Sequence, residues 1–140
     1  MNNLLKYSTL VIPSIVIYTI SQFFIVDNAG SDIPFRPPGI VFAIVWPILL
    51  ILLGISWYLR TNLSIYYIIL ITLLTLWIIL YNYSKVLSFI DIILSLCMTI
   101  LLITNIFNRD DRFKLSNVLL IPLALWLSFA STLNGYEIFN

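Results

Sequence analysis

The chain has 140 residues, 61% of them hydrophobic and only 9% charged, with a formal charge of +1. A soluble domain carries about 25% charged residues, so this one cannot coat a water-facing globule, and lipid must be the solvent for most of its surface. The near-neutral balance excludes the concentrated basic patch that a nucleic-acid partner needs. The absence of histidine removes the commonest general base and metal ligand, and a lone Cys97 gives neither an intrachain disulfide nor a cysteine metal cage.

A spanning helix needs about 20 mostly apolar residues, and five windows qualify. The first runs from Tyr7 to Val26. Its apolar run exceeds the roughly 7–15 residues of a signal-peptide core and no A-x-A site follows, so a retained helix is expected. The segment Asp27–Pro38 is the longest connection and contains Gly30, Ser31 and the prolines Pro34, Pro37 and Pro38. The second span covers Gly39–Leu59 and contains Pro47, which removes a backbone hydrogen bond and predicts a kink. Trp46 and Trp57 lie on one stripe of it, three turns apart. Trp57 is expected in the interfacial aromatic belt.

The third span, Leu63–Tyr81, follows the short connection Arg60–Asn62, and the fourth, Val86–Phe107, follows Asn82–Lys85. Asp91 sits about one turn inside the fourth. An ionisable residue in a span is a functional candidate, although the free N–H groups of a helix N-terminus also stabilise a carboxylate. The connection Asn108–Lys114 leads to the fifth span, Leu115–Asn134. There Ala124, Ser128 and Thr132 recur every four residues, a small-residue face expected to pack closely on another helix of the bundle, with dimerisation through it as the alternative. Asn134 at the end requires a partner in the bundle or in headgroup water.

No window alternates with period two, so helices and not a β-barrel satisfy the backbone in lipid. The predicted fold is all-α: one domain, residues 1–140, an integral multi-pass membrane bundle of five transmembrane helices. Lys6, Arg60, Arg109, Arg112 and Lys114 fall on one side, Arg36 and Lys85 on the other, a bias that places the N-terminus in the cytosol. No P-loop, nucleophile–base pair or metal-ligand spacing is present, so no catalytic residue, metal or cofactor is assigned. Trp46 and Trp126 lie deep in their spans, where inter-helix packing and an aromatic wall for a flat apolar ligand both fit.

Two segments carry a resemblance. Pro37-Pro38-Gly-Ile-Val-Phe42-Ala43-Ile-Val-Trp46, continuing to Gly54, resembles the second-helix signature of the TspO/MBR family, P-P-x-W-x-F-x-P-x-W-x-x-L-Y-x-x-M-G. Ile121-Pro122-Leu-Ala-Leu-Trp126-Leu-Ser-Phe129-Ala130-Ser-Thr132-Leu133-Asn134 resembles its fifth-helix signature, P-Y-L-A-W-x-x-F-A-T-x-L-N. Asp91 matches the aspartate opening the family's fourth helix, and Trp77 its third-helix tryptophan. The resemblance implies a five-helix bundle with a pocket open toward the loop after the first helix. It implies a receptor or carrier for porphyrins, in some members sterols, and synthetic apolar drugs; family analogy also suggests a homodimer.

Matched position by position, the pocket takes Phe42, Ala43, Val45 and Trp46 from the second helix, and Leu87, Ile90 and Leu94 from the fourth. Ala130 and Leu133 come from the fifth, with Asp91, Trp126 and Asn134 added on their own chemistry. Ile40 replaces the family tryptophan linked to light-dependent porphyrin breakdown, which argues against that activity. Ile44, Leu50 and Leu74 replace a proline, a tyrosine and an asparagine, so a more apolar pocket is expected. A purely structural or partner-binding membrane protein is the remaining alternative.

Overall fold

The computed structural model describes residues 3–23, 39–104 and 114–139. Those residues are 91% helical and contain no strand. The helices are α1 (Asn3–Ser8), α2 (Ile12–Ser21), α3 (Gly39–Leu59), α4 (Ser64–Tyr81), α5 (Lys85–Ile103) and α6 (Lys114–Phe139), with a 3₁₀ turn at Thr61–Leu63. The last four are long and apolar enough to cross a bilayer, and Ile12–Ser21 is a shorter apolar helix. The connection Asp27–Pro38, the end of the first span at Val26, the end of the fourth at Phe107 and the loop residues Arg109 and Arg112 lie outside the described residues.

The first span is two helices rather than one. Thr9, Leu10 and Val11 donate to the carbonyls of Lys6, Tyr7 and Ser8, three residues back, which tightens the chain and ends α1. Pro13 explains the break. It has no N–H and its ring would clash with the carbonyl of Thr9 in a continuous helix, yet it is well placed in the first turn of α2. The broken turn is buried against α3 at Gly54, where a Cβ would lie 2.5 Å from the Leu10 carbonyl oxygen. Glycine there is what allows the close approach.

The helices close a ring in the order α2–α3–α6–α5–α4, with the widest contacts between α5 and its neighbours α6 and α4. Leu50, Leu53, Leu70, Leu120, Leu123 and Leu127 are among the buried apolar side chains. Between helices in lipid there is little hydrophobic driving force, because acyl tails are as apolar as leucine. Close packing and interhelical hydrogen bonds therefore carry the association.

Those bonds gather in two polar clusters. In one, Ser56 Oγ lies 2.7 Å from Tyr67 Oη and 2.8 Å from Ser116 Oγ, joining α3, α4 and α6. Beside it Arg60 is 0% exposed. Its Nη1 donates to the Leu102 carbonyl at 3.0 Å and to Asn117 Oδ1 at 2.6 Å. Leu102 is in the last turn of α5, where carbonyls lack helical donors and cations are favoured. Arg60 is thus an internal clip, not a solvated loop charge.

The second cluster sits at the other end. Lys85 Nζ pairs with Glu137 Oε2 at 3.0 Å, and Tyr81 Oη donates to both Glu137 oxygens. With its carboxylate so engaged, Glu137 is accommodated inside α6, which runs five residues past the expected end at Asn134.

Two further expectations are corrected. Trp57 is buried, stacked on Tyr67 with ring centroids 6.2 Å apart, and its Nε1 donates to Ser64 Oγ; it packs inside and does not reach the belt. The small-residue face is not packed on another helix of the chain: Ser128 and Thr132 are exposed, their hydroxyls bonded back to the carbonyls of Ala124 and Ser128.

Candidate functional site

Prolines interrupt the ladders of α3 and α6, the two helices that carry the signature segments. Pro47 and Pro122 supply no N–H, so the carbonyls four residues earlier, at Ala43 and Val118, lose their ordinary helical donors. Between these helices lies a cavity of about 410 Å³. Val45, Ile48 and Leu49 line it from α3; Pro122, Leu125 and Trp126 line it from α6. Ile48 is half-exposed and Leu125 is 68% exposed, so the cleft opens on the outer surface of the bundle.

Trp126 is the aromatic residue of this lining, and other rings pack around it. The Trp126 ring meets Phe42 edge-on with centroids 5.3 Å apart, and Trp46 edge-on at 6.4 Å. Phe129 tilts against it at 5.6 Å. These distances lie within the range of favourable aromatic pairs. Trp126 Nε1 is closed off from solvent and has no hydrogen-bond partner. The cleft offers dispersion contacts and a ring face, which suits holding a ligand, and among the described residues its lining holds no nucleophile or base.

Of the expected residues, Val45 and Trp126 line this cleft, and Phe42 and Trp46 touch Trp126 without lining it. Ala43 is exposed on α3 and Ala130 is partly buried against the core. Leu133 and Asn134 are buried in the bundle. The Asn134 amide finds its partners there: Oδ1 accepts from Trp77 Nε1 at 2.8 Å and lies 3.4 Å from Ser88 Oγ, and Nδ2 donates to the Lys85 carbonyl. Leu87, Ile90 and Leu94 are each half-exposed on α5, and none of them lines the α3–α6 cleft.

Asp91 is 4% exposed and Oδ2 has no partner. The helix starts at Lys85, capped by Ser84, so Asp91 is its seventh residue, beyond the free N–H groups of the first turn; the helix N-terminus does not solvate this carboxylate.

Of the positions where the chain departs from the signature, Ile40 and Ile44 are exposed while Leu50 and Leu74 belong to the buried core. Sequence reasoning missed Ile48, Leu49, Pro122 and Leu125 as lining. Only Pro122 carried a signal, as a proline inside a span. The pocket mouth expected beside the loop after the first helix falls outside the described residues.

Among known proteins, the model of the TspO/MBR family matches residues 9–139 of this chain, a range that contains both signature segments. No curated protein matches it.

Proposed function

The chain belongs to the TspO/MBR family, and from that membership we propose that it is a membrane receptor or carrier that holds a flat apolar ligand, a porphyrin or a molecule of similar shape, at the α3–α6 cleft. The observation that supports this most is the aromatic end of the cleft, where Phe42 and Trp46 both meet Trp126 beside open volume. Among the described residues no charged side chain lines that volume, so recognition there rests on dispersion and ring contacts, and acidic substituents of a porphyrin would point out of the cleft. Light-driven breakdown of the ligand is disfavoured, because Ile40 stands where the family tryptophan linked to it would be.

Quenching of tryptophan fluorescence by protoporphyrin in detergent tests the reading. Saturable quenching at micromolar ligand, weakened in Trp46→Ala, is expected. Linear quenching indistinguishable between the two proteins would remove the proposal.

A further inference from the structure

Ser88, Asp91, Ser95 and Thr99 recur at steps of three and four along α5 and are all buried, in the helix that packs most widely on α4 and α6. The hydroxyl protons are already committed. Ser88 Oγ donates to the Lys85 carbonyl at 2.8 Å, Ser95 Oγ to the Asp91 carbonyl at 3.0 Å, and Thr99 Oγ1 to the Ser95 carbonyl at 2.8 Å. What these groups have left is lone pairs. The Asp91 carboxyl, with Oδ2 enclosed and unpartnered, therefore shares its stripe with acceptors.

Among the described residues, the cations nearest α5 in the bundle are engaged elsewhere. Lys85 lies six residues earlier, roughly 9 Å along the axis, and is paired with Glu137. Arg60 is bonded at Leu102, eleven residues further on and roughly 16 Å away along the axis. Among the described side chains of the packed helices, the ionisable ones are also occupied. On α4, Tyr67 is tied to Ser56 and Ser116 and Tyr81 to Glu137; Tyr66 on α4 and Tyr136 on α6 have contacts of their own. Lys114 opens α6 at its far end, level with the Arg60 end of α5. A bare carboxylate among acceptors inside a span is costly, and only an incoming positive charge or proton balances it.

We propose that Asp91 is an internal site for a small monovalent cation and that its occupant is a proton. Enclosure of Oδ2 selects the proton over a hydrated metal ion. As a neutral acid the group carries no charge that the span must compensate. Losing that proton requires the α4–α5–α6 seam to loosen and admit water. The site is separate from the α3–α6 cleft and does not depend on what that cleft binds.

Infrared spectroscopy of the protein in lipid nanodiscs at neutral pH tests this. A protonated-carboxyl stretch is expected that disappears in Asp91→Asn and that shifts when the unsubstituted protein is labelled with [4-¹³C]aspartate. The labelling needs no variant to fold. The thermal midpoint of the parent should fall as pH rises toward alkaline values, because the proton-loaded form is the well-packed one, while Asp91→Asn stays flat. A carboxyl band that ignores the aspartate label, or pH profiles that coincide, would overturn the proposal. Stabilisation of the parent but not Asp91→Asn by added sodium or potassium at fixed pH would assign the site to a metal ion and overturn the proton assignment.

Discussion

Trp77 Nε1 donates a 2.8 Å hydrogen bond to Asn134 Oδ1, so the middle of the ring is tied from α4 to α6 past the face of α5. The same oxygen sits 3.4 Å from Ser88 Oγ on α5, which makes one amide the meeting point of three helices. Trp77→Phe removes the donor and keeps most of the ring. A loss of about 1–2 kcal/mol is expected in thermal or denaturant unfolding in detergent, the scale of one buried hydrogen bond. An unchanged midpoint would show that the bond is made equally well to water or lipid in the unfolded reference.

Arg60 should matter more than its position at a helix end suggests. Arg60→Met removes a charged donor and leaves the Leu102 carbonyl and Asn117 Oδ1 without it. The expected cost is about 2–4 kcal/mol. Arg60→Lys, which offers a point charge without the planar fork, should fall between. The comparison is read from melting curves of the three purified proteins.

The two buried glycines should respond differently to alanine. At Gly54 the new Cβ meets the Leu10 backbone oxygen at 2.5 Å, and backbone cannot swing aside. Gly54→Ala should destabilise by about 1–3 kcal/mol, the range for overpacking, and shift α2 against α3. At Gly135 the nearest atoms are the Phe89 ring at 3.2 Å. Gly135→Ala should stay within about 1 kcal/mol of the parent, because the helix-propensity gain offsets the displacement of a side chain. Cysteine crosslinking between α2 and α3 reports the predicted shift in Gly54→Ala.

These contacts show which parts of the fold local sequence can carry. Hydropathy located the spans because lipid imposes the apolar requirement on each helix separately; α3 has the expected bounds of Gly39 and Leu59. The break near Pro13 has a signal in the proline itself, which the apolar run that set the first span does not register. The fifth span was expected to end at Asn134, short of Glu137, whose partners Lys85 and Tyr81 come from two other helices. Arg60 counted toward orientation, while its acceptors lie more than forty residues away. The small face of Ala124, Ser128 and Thr132 has the right spacing for packing, yet periodicity does not say which way a stripe points. The aromatic residues of the site were visible through their unusual depth. Ile48, Leu49 and Leu125 were not, since any spanning helix contains such residues and the cavity exists only in the fit between two of them.

The central claim is that a flat apolar ligand occupies the cleft between α3 and α6. Porphyrin fluorescence anisotropy, titrated against Leu125→Trp and Leu94→Trp, tests it most directly, because both substitutions enlarge exposed side chains and spare the core. Filling the cleft with Leu125→Trp should weaken binding at least about tenfold, roughly 1.4 kcal/mol, while Leu94→Trp on α5 should bind like the parent. Unimpaired binding by Leu125→Trp, with the loss appearing in Leu94→Trp instead, would contradict the account and move the ligand to the α5 face.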